Sequence, residues 1–144
     1  MSQLMNEVIL VFKLIRDEEM AHLSVRTTEK NDDLLILNHH YMTSVLASQL
    51  AEGIHRHLDK SEQGWIYLEV LAKCLGIEES HLNIQIHRAR KQFSEQLKPL
   101  GNAEQLIQRR PRQVRLNCQH FAIFKGDSLE SSTVELLTNN ASTA

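Results

Sequence analysis

Five apolar residues between positions 82 and 97 have the spacing of one buried face of an α-helix. They are separated by four, three, four and four positions, which puts them on one side of a helix with about 3.6 residues per turn. Pro99 and Gly101 follow and predict the end of the helix. We therefore predict an amphipathic helix over residues 80–97, with Ser80 as its N-terminal cap. Its apolar face consists of Leu82, Ile86, Ala89, Phe93 and Leu97.

The opposite face of this helix is polar and mostly cationic. Successive residues are about 100° apart around a helix, and this angle decides which side chains share a face. The pattern is typical either of an ordinary solvated surface or of a surface that binds an anionic partner. The outward residues are Ser80, Ile84, His87 and Lys91, with Arg88 on one flank and Asn83 and Arg90 on the other.

A basic β-hairpin is predicted directly after the helix. Residues 106–109 and 113–116 have the pattern of two strands closed over Arg110-Pro111-Arg112. Arginines at a hairpin tip can neutralise phosphates or enter a minor groove. The alternative is that they pair with acidic residues of the N-terminal part, of which residues 17–19 are the nearest candidates. The four arginines in this seven-residue span are Arg109, Arg110, Arg112 and Arg115.

The charge of the chain is unevenly distributed, although the net charge is only −2. Residues 80–117 carry eight Lys/Arg against two Asp/Glu, whereas residues 1–79 carry seven against thirteen. Residues 118–144 carry one against three. One strongly positive segment in a nearly neutral chain favours a localised anionic partner.

The rest of the chain predicts an α+β fold, and 144 residues are enough for one domain. An N-terminal antiparallel sheet is expected over residues 8–37, from strands at 8–15, 20–27 and 34–37. A helix capped by Asn38 should run to about Leu58 and bury one apolar stripe. A small strand at 64–66, with Trp65 against the core, a helix at 67–75 ended by Gly76 and a strand at 121–124 complete the order. Residues 127–144 are rich in Ser, Thr and Asn and predict a disordered tail. The apolar stripe of the first helix consists of Met42, Val45, Leu46, Leu50, Ile54 and Leu58.

Two segments of the chain resemble a known family of DNA-binding domains. HLNIQIHRARKQF (81–93) followed by LIQRRPRQVRL (106–116) is similar to the helix-plus-wing end of the OmpR-type winged-helix domain. The chain resembles more closely a bacterial variant of that domain found beside forkhead-associated phosphopeptide-binding modules. This likeness depends on RDEE (16–19), QGW (63–65), LNIQIHRARKQF (82–93) and QRRPRQVRL (108–116), and it covers most of residues 8–124. The sequence departs from the usual pattern at the hairpin tip, where Arg110-Pro111-Arg112 replaces a turn that contains glycine.

The resemblance implies a winged helix-turn-helix domain over residues 1–126. It would consist of the N-terminal sheet, three helices over residues 38–97, and a wing with a last strand over residues 104–124. It also implies a cytoplasmic bacterial transcriptional regulator that binds double-stranded DNA, as a homodimer on DNA. Helix 80–97 would read the major groove, and the wing would contact phosphates or the minor groove.

Several candidate DNA-binding residues have side chains suited to a particular group of the DNA. Asn83 suits an adenine edge, Arg90 a guanine if it turns into the groove, and Lys91 a base or a phosphate. Ile84 suits a thymine methyl, and His87 a base edge, with a donor strength that rises as the pH falls. The complete set is Ser80, Asn83, Ile84, His87, Arg88, Arg90, Lys91, Arg109, Arg110, Arg112 and Arg115.

Other functions have weaker sequence signals. The histidine pairs His39-His40 and His55/His57 are too far apart for one metal site and have no cysteine or carboxylate cluster beside them. Cys74 and Cys118 predict two reduced thiols. We find no catalytic motif, membrane span or secretion signal, and expect no enzyme activity, cofactor or metal. The alternative function is a non-enzymatic adaptor that holds a protein partner in a signalling assembly through Ile84, the basic face and the acidic sheet.

Overall fold

The computed structural model describes residues 8–15, 20–27, 35–37, 40–97, 101–126 and 128–133. In chain order its elements are strands β1 Val8–Ile15, β2 Met20–Thr27 and β3 Leu35–Leu37, helix α1 Tyr41–His55, strand β4 Ile66–Tyr67, helices α2 Leu68–Leu75 and α3 Glu79–Gln96, a 3-10 helix Ala103–Leu106, and strands β5 Ile107–Arg110, β6 Gln113–Leu116, β7 His120–Lys125 and β8 Ser128–Ser132. The α+β class is confirmed.

The chain divides into two compact units. The sheet unit comprises residues 1–44 and 118–144, and the helical unit comprises residues 45–117. The first boundary falls inside α1, and the second falls between β6 and β7. Among the described residues, no helix combines the length and apolarity needed to cross a membrane.

The sheet unit contains a five-stranded sheet in the order β3-β2-β1-β7-β8. β1, β2 and β3 pair antiparallel, which confirms the N-terminal antiparallel sheet. Alternate residues of β2 are fully buried, as a strand with one apolar face requires; they are Ala21, Leu23 and Val25. β1 also pairs parallel with β7, so the strand expected at 121–124 belongs to the same sheet as the N-terminal strands.

The fifth strand of this sheet, β8, lies where the sequence predicted disorder. β8 pairs antiparallel with β7, and the backbone N–H of Thr133 donates to the carbonyl of Phe121 at 2.9 Å. The hydroxyl of Thr133 also accepts from the backbone N–H of Phe121 at 2.8 Å. Backbone pairing rather than apolar burial holds this polar segment, so the disorder prediction is wrong for residues 128–133. Residues 134–144 lie outside the described residues.

The helical unit combines α2, α3 and most of α1 with a three-stranded sheet in the order β4-β6-β5. The buried face predicted for α3 is confirmed, because none of its five residues is more than 7% exposed. The stripe predicted for α1 ends earlier than expected. Ile54, in the last turn of the helix, and Leu58, beyond its end at His55, are both exposed. Asn38, the expected cap of α1, lies outside the described residues.

The end of α1 approaches the loop 59–64 closely. A Cβ atom on Gly53 would lie 3.2 Å from the Cα of Gln63, and one on Gly64 would lie 3.1 Å from the side chain of Leu50. Gly64 also has a φ of 85°, which a residue with a side chain rarely adopts. Two glycines therefore fix this loop against α1, immediately before Trp65 and β4.

A tight turn connects α2 to α3. Gly76 ends α2 in the left-handed conformation with a φ of 68°, as predicted for a glycine at this position. The N–H of Ile77 donates to the carbonyl of Ala72 at 3.0 Å and closes the turn. The N-cap position of α3 is Glu78, without a side-chain capping bond, and the helix begins at Glu79. The prediction of Ser80 as the cap is wrong, since Ser80 lies in the first turn.

Candidate nucleic-acid interface

The outward face of α3 is exposed as predicted. Ser80, Ile84, His87, Arg88 and Lys91 are exposed, and Ile84 keeps 48% of its accessible surface. Among the described residues, the only acidic contact on this face is the loose pair of Lys91 with Glu95 at 4.0 Å. Such an exposed pair contributes little stability and leaves the lysine ready to exchange partners. The face is thus cationic, accessible and interrupted by one aliphatic side chain.

Arg90 does not share this face. It is half-buried, and its Nε donates to the backbone carbonyl of Glu104 in the 3-10 helix at 3.4 Å. The guanidinium therefore lies against the element that follows α3. The expectation that Arg90 reads a guanine depended on its turning outward, and this geometry does not support it.

Asn83 connects α3 to the hairpin formed by β5 and β6. Its side-chain oxygen Oδ1 accepts a hydrogen bond from Nη2 of Arg109 at 2.9 Å. Arg109 is exposed, whereas Asn83 is half-buried at the flank of the helix. The structure therefore brings together two candidate residues that are 26 positions apart.

Arg110 turns away from solvent onto an aromatic ring and a carboxylate. Its guanidinium lies 4.2 Å from the centre of the Trp65 ring, and Nη1 is 3.3 Å from Oε2 of Glu62. Its Nε donates to the side chain of Gln113. The alternative that hairpin arginines pair with acidic residues is thus correct for Arg110, but the partner is Glu62. Residues 17–19, the partners considered from the sequence, lie outside the described residues.

Arg115 is also turned inward. Its guanidinium lies 4.6 Å from the centre of the Trp65 ring. Nη1 donates to the backbone carbonyls of Lys60, Ser61 and Gln63 at 2.9, 3.2 and 3.1 Å. Partial burial and the neighbouring Arg110 lower the pKa of Arg115, while Glu62 acts in the opposite direction.

These contacts define a Trp65 cluster, which consists of Glu62, Trp65, Arg110 and Arg115. Nε1 of Trp65 donates to the carbonyl of Ser61 at 2.8 Å, so the loop, the ring and the hairpin hold one another in place. The cluster assigns Arg110 and Arg115 to positioning of the hairpin rather than to free contact with a ligand. Trp65 therefore carries two arginines on the sheet surface, whereas the sequence predicts it against the core. The available signal was strand alternation, because pairing of β4 with β6 puts Trp65 next to Arg115 on the outer face of the sheet.

Arg112 has a different environment at the hairpin tip. It is exposed, and its guanidinium makes no hydrogen bond or ion pair with another described residue. Its φ is 64°, and Pro111 precedes it, a combination typical of a type II turn. Glycine is the preferred residue at such a position, and a side chain there costs about 1–2 kcal/mol. The carbonyl of Arg112 accepts from the N–H of Leu68 at 2.9 Å, which attaches the tip to the start of α2.

The remaining candidates for chemistry do not form a second site within the described part of the chain. No group of three His, Cys, Asp or Glu side chains there is arranged to hold a metal ion. His40 is buried and bonds to Thr43 at 3.0 Å, whereas His55 and His57 are exposed. Both cysteines are free thiols; Cys74 is exposed and Cys118 is buried.

Comparison of the chain with protein-family models, curated proteins and solved structures found no match. The functional assignment therefore depends on the residues and geometry of this chain.

Proposed function

We propose that this protein is a transcriptional regulator that binds double-stranded DNA through α3 and the β5–β6 hairpin, in a winged helix-turn-helix arrangement. In this proposal α3 enters the major groove, which admits an α-helix and displays distinct hydrogen-bonding groups on each base pair. The hairpin contacts phosphates or the minor groove beside it.

The observation that carries the proposal is an uncovered cationic surface on one compact unit. His87, Arg88 and Lys91 are exposed on α3, and Arg109 and Arg112 are exposed on the hairpin. The Asn83–Arg109 hydrogen bond joins the helix to the hairpin. A surface of this kind neutralises several phosphates at once, which is the main source of sequence-independent affinity for DNA.

The conformation of Arg112 adds support to the proposal. A left-handed backbone conformation at a residue other than glycine is costly, and such strain is concentrated at functional sites. The hairpin tip here carries an exposed guanidinium instead of the residue that would relieve the strain. A phosphate contact by Arg112 accounts for an arginine at a position where glycine would relieve the strain.

The order of elements supports the winged-helix arrangement. α2, a glycine turn and α3 follow one another in the order of a helix-turn-helix, and the hairpin follows α3 after one short 3-10 helix. The small strand β4 pairs with β6 and so attaches the hairpin to the start of α2. The hairpin stays short and fixed, with a two-residue turn between the paired residues Arg110 and Gln113.

A fluorescence anisotropy titration tests the proposal. A labelled duplex of mixed sequence should bind, and the logarithm of the affinity should fall linearly with the logarithm of the salt concentration. Arg88→Ala combined with Lys91→Ala should weaken binding at least tenfold and reduce the salt slope by about two. Arg56→Ala is the matched control, because Arg56 is an exposed arginine of the same unit that pairs with Glu52 outside α3 and the hairpin. An equal loss in the control would contradict the proposal.

A protein-binding adaptor is the second candidate, and exposed apolar side chains favour it. Tyr67 is 54% exposed and Val70 is 44% exposed, in addition to Ile84. In this candidate function these side chains bind a protein partner, and the cationic face provides complementarity to its acidic residues. Absence of duplex binding at about 50 mM salt would favour the adaptor, provided that a purified partner binds the wild type and not Ile84→Asp.

A further inference from the structure

Asn83 and Arg109 form a joined pair of side chains, and we propose that together they select guanine rather than adenine at one base pair. The inference rests on the proposed function, because it requires α3 to lie in the major groove. Arg109 Nη2 donates to Asn83 Oδ1 at 2.9 Å. A guanidinium has only donors, so the asparagine must turn its oxygen, not its amino group, toward Arg109. The orientation of the amide follows from this chemistry.

The position of Asn83 suits contact with a base edge. α3 begins at Glu79, so Asn83 lies in its second turn, and the N-terminal residues of a recognition helix are those that reach the bases. The neighbouring outward residue Ile84 is exposed at 48%, so this part of the helix is not covered by the described residues around it.

Arg109 reaches the helix from the edge of the small sheet. It lies on β5, which is an edge strand, and it is paired with Val114, whose side chain is fully buried. Residues paired across strands share a face, so the stem of Arg109 begins on the inner face of the sheet. Its guanidinium is exposed and bound to Asn83, while Arg110 and Arg115 are held on the outer face by Trp65.

The hydrogen bond changes what Asn83 can read. Adenine presents one acceptor, N7, and one donor, the N6 amino group, and an asparagine that reads it needs both its oxygen and its amino group. Here the oxygen already accepts from a cation. That bond takes one of the two lone pairs of Oδ1 and directs the oxygen toward Arg109. The groups left to face the groove are then mostly donors, namely the Nδ2 amino group of Asn83 and the remaining N–H groups of Arg109.

A surface of donors matches guanine. Guanine presents two acceptors, N7 and O6, in the major groove, whereas adenine and cytosine each present an amino group. An amino group placed against the donors of Asn83 and Arg109 would lose its hydrogen bond to water without replacing it, and this selects against both bases. The pair therefore favours guanine over the adenine contact expected from Asn83 alone.

Selection of bound duplexes from a random pool tests the inference, with the full chain as wild type, Arg109→Ala, Asn83→Ala and Arg88→Ala. The wild type should enrich a guanine that it prefers to adenine by about tenfold. Arg109→Ala frees the oxygen of Asn83, so the preference at that base pair should shift to adenine. Asn83→Ala should lower the guanine preference without creating one for adenine. Arg88→Ala, the control on the same helix, should weaken binding and leave that base unchanged.

Two results would overturn the inference, and they are distinguishable from failure of the proposed function. If wild type and Arg109→Ala enrich the same bases, the pair only holds the helix against the hairpin. If the wild type enriches adenine at the position that Asn83→Ala alters, Asn83 reads the base by itself. In both cases duplex binding persists and the proposed function survives. Absence of any duplex binding by the wild type overturns the inference and the proposed function together.

Discussion

The guanidinium of Arg115 lies over the indole ring of Trp65, 4.6 Å from the ring centre, and donates to three backbone carbonyls of the loop that leads to this tryptophan. The hydrogen bonds span more than 50 positions of the sequence and attach the loop to β6. These bonds hold the backbone of the loop beside β6, and hydrogen bonds from a charged group are stronger than those between neutral groups. Arg115 therefore holds the base of the hairpin, a role that its position among several other arginines in the sequence does not reveal.

Arg115→Lys should destabilise the protein and should not behave as a conservative change. A lysine is a point charge with no planar fork, so it cannot bond the three carbonyls while stacking on Trp65. We expect the free energy of unfolding to fall by about 1–3 kcal/mol, because hydrogen bonds from a charged group are lost. Urea denaturation followed by circular dichroism measures this change. Arg112→Lys, at an exposed side chain, should change it by less than about 0.5 kcal/mol, and equal losses in the two variants would contradict the role of Arg115.

Arg112→Gly should change stability and DNA affinity in opposite directions. Glycine adopts the positive φ at no steric cost, but it gains entropy in the unfolded chain, so the net stabilisation should be about 0.5–1 kcal/mol. Loss of one phosphate contact should reduce the salt slope of DNA binding by about one. Thermal melting and anisotropy titration of the same preparation measure the two effects. If Arg112→Gly is more stable and binds DNA as tightly as the wild type, Arg112 makes no contact with DNA.

Glu62→Gln should strengthen DNA binding. The carboxylate lies 3.3 Å from Arg110 and is more than half exposed, so it neutralises part of the positive field beside the hairpin. Its removal should raise the affinity about two- to fivefold at low salt and make the salt dependence steeper. Stability should change by less than about 1 kcal/mol, because the ion pair is exposed. Glu52→Gln, which removes an equally exposed carboxylate paired with Arg56, is the control and should leave DNA affinity unchanged.

Cys118 should make the stability of the protein depend on pH in the alkaline range, and the two cysteines should differ in reactivity. Burial raises the pKa of the Cys118 thiol to about 11, above the ordinary value of 9.0. As the pH rises, the thiol therefore loses its proton at a lower pH in the unfolded chain than in the folded chain. The contribution of Cys118 to the free energy of unfolding is complete below about pH 9 and is lost between about pH 9 and pH 11. A thiol-reactive dye at neutral pH should label one thiol per native chain, at the exposed Cys74, and two after unfolding. Rapid labelling of Cys118 in the native protein would contradict its burial.

The parts of the fold that were predictable from sequence are those set by local periodicity. The buried face of α3, the Gly76 turn and the hairpin over residues 107–116 follow from residue spacing and from the turn residues beside them. β8 was missed because a strand such as Ser128–Ser132 has a single apolar residue, Leu129, and is held by its backbone. The parallel pairing of β1 with β7 joins residues more than 100 positions apart, which no local pattern encodes.

The candidate site was predictable in its charge and only partly in its geometry. Exposure of His87, Arg88 and Lys91 follows from the helical period, because the apolar face fixes their orientation. The side-chain directions of Arg90, Arg110 and Arg115 depend on Glu104, Glu62 and Trp65, which are distant in sequence. Long, flexible cations bind whichever carbonyl, ring or carboxylate the fold brings near them. Charge counting therefore overestimated the number of arginines that are free to bind a ligand.

The most direct measurement is a titration of the isotope-labelled protein with a short DNA duplex, followed through the backbone amide resonances. The account predicts that the largest shifts occur in two segments, residues 80–91 of α3 and residues 109–113 of the hairpin, and that they decrease as salt is added. Large shifts confined to other segments of the chain, or no shifts at about 50 mM salt, would contradict the assignment of this surface to DNA.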